Sequence, residues 1–160
     1  MIEIKPYDAQ HVAEIAELIV PIQAQEFGVD ITYEDQPDLA DINSFYLTGA
    51  GGFWLAFNED KLVGTIALKD IGSGTAALRK MFVHKKYRGK EFGVAAGLLK
   101  MLLAHSQSLG LVEILLGTTE AFKAAHRFYE KNDFVQITET DLPETFPRMK
   151  ADTRFYRKKL

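Results

Sequence analysis

The chain of 160 residues contains no cysteine. Disulfide bonds, CxxC metal or redox sites and a cysteine nucleophile are therefore excluded. The four histidines are scattered, so they provide neither the spacing of a metal site nor the partners that a serine nucleophile needs. We expect no bound metal and no covalent intermediate on the protein.

The sequence also lacks an apolar stretch of membrane-spanning length, and its first residues show no basic segment followed by an apolar run. We expect neither membrane insertion nor a signal peptide, and therefore a cytoplasmic protein. A net charge of -3 argues against broad nucleic-acid binding. The composition, with 47% hydrophobic and 26% charged residues, is typical of a soluble globular protein, and the length fits a single domain over residues 1–160.

The N-terminal part of the chain predicts one strand and two helices. Alternating Ile2 and Ile4 indicate the strand, and Asp8 can cap the helix that follows. Pro21 should kink or interrupt that helix. A shorter helix is expected from Pro37 to near Gly49. The apolar residues at helical spacing are Val12, Ile15, Ile19 and Ile22 in the first helix and Leu39, Ile42, Phe45 and Tyr46 in the second.

From residue 52 the apolar period changes from that of a helix to that of a strand. Residues 52–57, 61–68 and 75–83 predict three strands, and the short turns between them indicate an antiparallel meander. An apolar helix that Gly110 can end follows, and then a buried strand over 111–116. A strand–helix–strand crossover connects parallel strands, so the third strand of the meander and the strand over 111–116 should be parallel. The remaining predicted elements are a helix from about Glu120 to Lys131, a strand over 134–137 and a last strand around 153–156.

The segment from Met81 to Val94 runs from a predicted strand through a basic loop directly into a helix. The first turn of a helix has N–H groups without intrahelical partners and the positive end of the helix dipole, so it can hold a phosphate or pyrophosphate. Gly89 and Gly93 allow the main chain to approach such a ligand. Taken alone, the charge cluster is explained more simply by a solvated turn. The loop lacks the Ser or Thr after lysine that a phosphate-loop NTPase requires.

Residues 88–93, with the sequence RGKEFG, match the Arg/Gln-x-x-Gly-x-Gly/Ala loop of the GNAT acetyltransferases at its first and last positions. They depart from it at Glu91, where the family has its middle glycine. Three further segments occur in the family's order and spacing, namely Val63-Gly64, residues 78–83, and residues 127–134 with their Tyr-Glu-Lys. Each segment is a weak signal alone, whereas together they identify the chain from 61 to 137 as similar to this family.

The resemblance implies the GNAT fold, which is of the mixed α/β (α+β) class. Its sheet of six to seven mostly antiparallel strands contains a parallel, splayed pair, the fourth and fifth strands, and about four helices flank it. The resemblance also implies acetyl-CoA as cosubstrate, with its pantetheine arm inserted into the splay. The residues that would hold acetyl-CoA are Met81, Phe82 and Val83 through their backbone, and Arg88, Gly89, Lys90, Glu91, Phe92, Gly93 and Val94 around the pyrophosphate. Because Glu91 is negative, its side chain should point to solvent and the affinity for the cofactor should be reduced.

Three residues are candidates for acid and base chemistry. By the resemblance, Tyr129 corresponds to the tyrosine that protonates the departing CoA thiolate, so it is the expected general acid, with packing on the buried helix face as the alternative. Glu113, in the predicted fifth strand, is the expected general base, with a salt bridge on the sheet as the alternative. His126 lies one helical turn before Tyr129, but a helical histidine is more often structural.

The implied reaction is transfer of an acetyl group to a primary amine of a small molecule or peptide by direct attack in a ternary complex. We expect the acceptor between the first two helices, the strand around Trp54 and the late loop 142–149. Phe27, Trp54 and Phe146 are candidates to line this pocket, although each alone is more typical of core or rim. A homodimer is compatible with the family. The alternatives are a non-catalytic CoA-binding sensor or interaction domain, and a nucleotide-binding domain that shares only the basic loop.

Overall fold

The computed structural model describes residues 1–26 and 28–160, so Phe27 lies outside the described residues. Within these ranges, seven strands form one sheet in the order β1-β2-β3-β4-β5-β7-β6. The strands are β1 (Ile2–Pro6), β2 (Gly52–Asn58), β3 (Lys61–Gly72), β4 (Thr75–Val83), β5 (Glu113–Thr118), β6 (Val135–Ile137) and β7 (Arg154–Lys159). All neighbours are antiparallel except β4 and β5, which are parallel. The predicted mixed, mostly antiparallel sheet is confirmed.

The helices differ from the prediction in one respect. The described ranges contain five α-helices, α1 (Val12–Pro21), α2 (Pro37–Ala40), α3 (Ile42–Tyr46), α4 (Val94–Ser108) and α5 (Lys123–Lys131). Pro21 ends α1, and the chain continues in a π-helical turn over Ile22–Glu26. The single helix expected after Pro37 is two short helices, because Asp41 leaves the helical conformation and caps α3 by accepting a hydrogen bond from the Ser44 N–H at 3.2 Å.

Helices cover both faces of the sheet. One face carries α4 and α5, and the other carries α1, α2 and α3. Because both faces are covered, residues 52–57 of β2 are all buried, so this strand is a continuous apolar run without alternation. In α4, Leu98, Leu99 and Leu102 are almost fully buried, and each contributes about 1.5–3 kcal/mol relative to an exposed side chain. This packing fixes the first turn of α4 beside β4.

The parallel ladder between β4 and β5 is short. It contains three residue pairs, from Thr75↔Glu113 to Ala77↔Leu115. β5 continues against β7 as far as Thr118, while β4 stays paired with β3 as far as Val83. The two strands therefore separate beyond Ala77, which confirms the predicted splay. Backbone N–H and C=O groups on the β5 side of the separated part of β4 need partners, so a ligand can pair with them.

A β-bulge interrupts β4 within its separated part. Between two pairs of the β3–β4 ladder, β4 has one residue more than β3. Lys80 has a φ angle of 51°, which is uncommon for a residue with a side chain, and its carbonyl accepts a hydrogen bond from the Thr65 hydroxyl at 2.7 Å. Consecutive residues of a regular strand point to opposite faces. Here both Arg79 and Lys80 reach Asp38 on the α1–α3 face, because the extra residue changes the alternation.

Candidate active site

A cavity of about 440 Å³ lies beside the separated part of β4. Its walls are the end of β4, the loop that precedes α4, the first turn of α4 and α5 with the residues just before it. The predicted cofactor residues that line it are Met81, Phe82, Val83, Arg88, Gly89, Lys90 and Gly93. Glu91 and Phe92 are exposed on the loop, and Val94 is buried in the core. We refer to this space as the large cavity.

The loop before α4 has the backbone geometry of an anion site. Gly89 has a φ angle of 114° and Gly93 one of 66°, conformations that favour glycine. Gly93 is the N-cap of α4, and the first intrahelical hydrogen bond runs from the Gly97 N–H to the Gly93 carbonyl at 2.9 Å. The N–H groups of the first turn therefore remain for a ligand, at the positive end of the helix dipole. A Cβ built on Gly93 meets no heavy atom within 4 Å, because this position borders the large cavity.

Glu91 does not strain the loop. The left-handed conformations fall on Gly89 and Gly93, so the glycine that the family pattern has at position 91 is not needed here for a positive φ angle. The Glu91 side chain is exposed and folds back over Gly89, where an added Cβ would lie 2.7 Å from Oε2. Its negative charge therefore stays beside the loop, where it weakens the attraction of the N-terminus of α4 for a bound anion.

Cations around the loop have two different roles. Arg88 donates from Nε to the Val83 carbonyl at 2.8 Å and pairs with Glu26 at 2.8 Å, so it ties the loop to β4 and to the π-helical turn. Lys90 approaches Lys131, and this contact lowers the pKa of Lys131. Two neighbouring ammonium groups repel each other, and a phosphate group between them would relieve the repulsion. Lys131 belongs to the Tyr-Glu-Lys segment, but the sequence did not indicate this contact.

Tyr129 lies between two cavities. Its side chain is only 5% exposed and packs against the rings of Phe134 and Tyr156, with centroid distances of 5.5 and 6.0 Å. Burial, with a smaller effect of Tyr156, raises the pKa of the Tyr129 phenol well above its usual range. The phenol therefore stays protonated at physiological pH. Tyr129 lines both the large cavity and a second cavity, so the sequence-based candidate acid lies at their junction.

The second cavity, of about 90 Å³, lies on the α1–α3 side of the cleft between the separated parts of β4 and β5. We call it the small cavity. Its walls come from Gln23, Val29 and Ile31, the middle of β4, the end of β5 and the late loop up to residue 152. Phe146 lines it and also belongs to a buried apolar cluster. Trp54 does not line it: its ring packs edge-on against His105 at 4.9 Å in the core. The two cavities share Met81, Phe82, Phe122 and Tyr129.

A buried polar network forms one wall of the small cavity. Asp38 accepts a hydrogen bond from the Tyr46 hydroxyl at 2.5 Å and pairs with Lys80 at 3.5 Å and with Arg79 at 3.7 Å. Arg79 also donates to the Tyr46 oxygen at 3.0 Å, and Lys80 donates to the Gln36 side-chain oxygen at 2.6 Å. Burial is the main cause that lowers the pKa of Lys80 to about 8. The wall carries two cations for one fully engaged carboxylate.

Asp152 forms the facing part of the small cavity, and the sequence did not single it out. The residue is 8% exposed, and its Oδ2 atom accepts a hydrogen bond from the Met149 N–H at 2.9 Å. The carboxylate packs against Gly117 of β5, where a Cβ atom would lie 2.7 Å from Oδ2. Burial raises the pKa of the Asp152 carboxyl. No local sequence signal marks Asp152, because its position depends on the contact between the late loop and β5.

The structure does not bring Glu113 to the cleft. Glu113 lies at the closed end of the β4–β5 ladder, where it pairs with Arg157 at 2.5 Å and accepts a hydrogen bond from the Thr75 hydroxyl at 3.2 Å. This is the alternative salt bridge on the sheet, and we assign Glu113 no part in the reaction. His126 is buried, and its Nε2 atom lies 2.9 Å from the Thr119 carbonyl oxygen, which indicates a structural role.

In residues 1–26 and 28–160, we find no group of three or more His, Cys, Asp or Glu side chains that could hold a metal ion. None of the helices in these ranges combines the length and apolar character needed to cross a bilayer.

Comparison with known proteins gives the family. The model of the acetyltransferase (GNAT) family matches residues 16–134. Among curated proteins, the chain is 33% identical over 106 residues to N-acetylaspartate synthetase of Danio rerio, a match that covers 65% of this chain and 37% of that protein. The chain thus spans little more than a third of the length of this relative.

Solved structures agree with this match. A GNAT-family acetyltransferase of Staphylococcus aureus Mu50 is 38% identical, covers 99% of both chains and superposes with a TM-score of 0.95. The PaiA N-acetyltransferase of Thermoplasma acidophilum, solved in complex with coenzyme A, is 18% identical with a TM-score of 0.75 over 100% of this chain and 99% of that one, and it shares the fold. The family model, which matches most of the chain, and the full-length likeness to the staphylococcal protein show that this chain belongs to the GNAT acetyltransferase family.

Proposed function

We propose that this protein is an acetyl-CoA-dependent N-acetyltransferase that acetylates a primary amine by direct attack in a ternary complex. One observation carries the proposal: two cavities on opposite sides of the separated β4 and β5 meet at Tyr129. A donor in one cavity and an acceptor in the other would react without an intermediate on the protein. The sequence similarity to an N-acetylaspartate synthetase and the coenzyme A complex of a protein with the same fold support this activity.

The large cavity fits acetyl-CoA on its own chemistry. The first turn of α4 and the loop glycines offer N–H groups to the pyrophosphate, and Lys90 and Lys131 offer positive charge nearby. Met81, Phe82 and Val83 offer backbone groups of the separated strand to the pantetheine amides. These groups would fix the thioester at the junction of the cavities.

Tyr129 would serve as the acid for the departing thiolate. In the reaction, the amine nitrogen forms a bond to the acetyl carbon, the carbon–sulfur bond breaks, and the CoA sulfur needs a proton. The raised pKa of Tyr129 keeps its hydroxyl protonated and able to donate. The acceptor enters as an ammonium ion and gives up two protons in total, of which one goes to a base and then to solvent and the other replaces the proton lost by Tyr129.

The direct test is release of free CoA thiol from acetyl-CoA in the presence of single acceptors. The panel comprises amino acids, polyamines, aminoglycosides and peptides with free N-termini, and a reaction without acceptor gives the hydrolysis background. At least one class of amine should accelerate thiol release above that background. Binding is measured in parallel as the increase in melting temperature with acetyl-CoA.

The two readouts separate the proposed enzyme from its alternative. If acetyl-CoA stabilises the protein while every acceptor leaves thiol release at background, the non-catalytic CoA-binding function takes the place of this proposal. If ATP stabilises the protein and acetyl-CoA does not, both are wrong, and the large cavity is a nucleotide site.

A further inference from the structure

The charges around the small cavity are unlike those of a general amine pocket, because opposite signs face each other across it. We propose that the acceptor is an amino acid or a similar zwitterion, whose ammonium group is bound and deprotonated by Asp152 and whose carboxylate is bound by Lys80 and Arg79. This inference rests on the proposed function and adds the substrate class and the base.

Arg79 and Lys80 form one wall of the small cavity, which we call the cationic wall, and they lie together because of the bulge in β4. Without the extra residue, Arg79 and Lys80 would face opposite sides of the sheet. The φ angle of 51° at Lys80 is a strained conformation, which persists only where surrounding contacts hold it. Such contacts are present, since the Thr65 hydroxyl holds the Lys80 carbonyl and Gln36 holds its ammonium group. A strained backbone that gathers two cations beside a cavity is an arrangement typical of a binding site.

This wall has one carboxylate, Asp38, for its two cations, Arg79 and Lys80. Asp38 is the carboxylate that pairs with both cations, and its shortest contact, at 2.5 Å, is to the Tyr46 hydroxyl. Asp152, across the small cavity, is the second anion, and its charge acts on both Arg79 and Lys80. The two cations and the two carboxylates balance, so a neutral zwitterion fits the small cavity, with its carboxylate at Arg79 and Lys80 and its ammonium group at Asp152.

The Asp152 carboxylate forms the anionic side of the small cavity. Among the described residues, its side chain has one hydrogen-bond donor, the Met149 N–H on Oδ2, and no ion pair within 4.0 Å. This single hydrogen bond, on Oδ2, leaves Oδ1 to a ligand. Gly117 is needed at this point of β5, because any side chain there would displace the carboxylate. A buried carboxylate with one donor is a favourable partner for an ammonium group.

The proton transfers follow from this placement. Asp152 takes one proton from the ammonium group, and the neutral amine attacks the acetyl carbon of the thioester. The carbon–sulfur bond breaks as Tyr129 gives its proton to the CoA sulfur. The nitrogen, now bonded to the acetyl group, loses its second proton, which restores the Tyr129 phenol through solvent, and Asp152 releases its proton to water. The products are an N-acetylated acid, CoA thiol and one proton.

The first arm of the test uses the unmodified protein and three matched acceptors: an amino acid, its carboxamide and the corresponding decarboxylated amine. Because the last two lack the negative charge, their kcat/KM should be lower by on the order of 10²-fold. Equal or better turnover of the decarboxylated amine would overturn the inference while leaving the proposed function intact. Thiol release by none of the panel's amines would instead mean that the proposed function fails.

The second arm uses variants. Asp152→Asn keeps the size of the side chain and should lower kcat by about 10²-fold or more with unchanged affinity for acetyl-CoA. Glu3→Gln removes an exposed carboxylate of β1 that lines neither cavity, and it should behave as the unmodified protein. Lys80→Met should reduce the preference for the amino acid over its carboxamide by at least about tenfold. Wild-type kcat in Asp152→Asn would exclude Asp152 as the base, and an unchanged preference in Lys80→Met would exclude the cationic wall.

Discussion

Raising the pH should stabilise the folded protein through Lys80. The Lys80 side chain is 2% exposed, and its ammonium group lies between Gln36 and Asp38. Burial lowers its pKa from 10.5 to about 8 in the folded protein, whereas the unfolded chain keeps the ordinary value. Between these two values the unfolded chain binds more protons, so the free energy of unfolding rises with pH. The cost of burying the charged form is therefore present below pH 8 and is lost as the pH rises.

The magnitude follows from the shift. Well above the folded pKa each pH unit adds about 1.36 kcal/mol, and near the pKa it adds about half of that, so the interval from about pH 8 to 9.5 should add about 1.5 to 2 kcal/mol from Lys80 alone. This interval lies below the ordinary pKa of tyrosine, about 10, and burial raises the pKa of both Tyr46 and Tyr129 still further. As the pH approaches about 10, the unfolded chain begins to ionise its tyrosines while the buried phenols stay protonated, which opposes the effect of Lys80. This opposing effect is common to the unmodified protein and to Lys80→Met, so the difference between them reports Lys80.

Urea denaturation across this pH range measures the effect, with Lys80→Met as the control. Methionine has a similar length and no charge, so the variant keeps most of the packing and loses the titration. The free energy of unfolding of the unmodified protein should rise by about 1.5 to 2 kcal/mol relative to the variant between pH 8 and 9.5. If the free energy of unfolding of the two proteins changed with pH in parallel, the claim that Lys80 is buried as a charged group would be refuted.

Three other substitutions test the cleft. Tyr129→Phe should lower kcat by about 10- to 10³-fold without changing the affinity for acetyl-CoA, because it removes the acid and keeps the ring; wild-type kcat in steady-state assays, with chemistry rate-limiting, would leave the tyrosine a packing role. Gly93→Val should abolish the increase in melting temperature caused by acetyl-CoA, since it forces a branched side chain into a φ angle of 66° and into the ligand's space; an undiminished shift would put the cofactor elsewhere. Glu91→Gln should tighten acetyl-CoA binding in calorimetry, more so at low salt, and a weaker complex would mean that Glu91 contributes to the site.

The sequence predicted the scaffold of the cleft because that scaffold is encoded locally. Continuous apolar runs marked β2 and β3, and the change to helical spacing after Gly93 marked α4. The strand–helix–strand order then required a parallel pair. Motifs of consecutive residues predicted Tyr129 and most of the loop residues that line the large cavity, and the fold keeps such residues together in space.

The acceptor side could not be predicted in this way, since it depends on contacts between distant segments. Asp152 reaches the cleft through the packing of the late loop on Gly117, and the cationic wall depends on a bulge that shifts one residue of β4. The family resemblance and its place in the predicted fifth strand suggest Glu113 as the base. Its position at the closed end of the β4–β5 ladder follows from the pairing with Thr75, which no local pattern specifies.

Transfer of a labelled acetyl group tests the central claim most directly. The protein is incubated with acetyl-CoA that carries an isotopic label in the acetyl group, together with the acceptor panel, and the products are identified by mass spectrometry. The account predicts the label in an amide of one class of amine, in amounts equal to the CoA thiol released, and much less product with Tyr129→Phe. Label that remains in acetyl-CoA or appears only as acetate, with every acceptor, would contradict it.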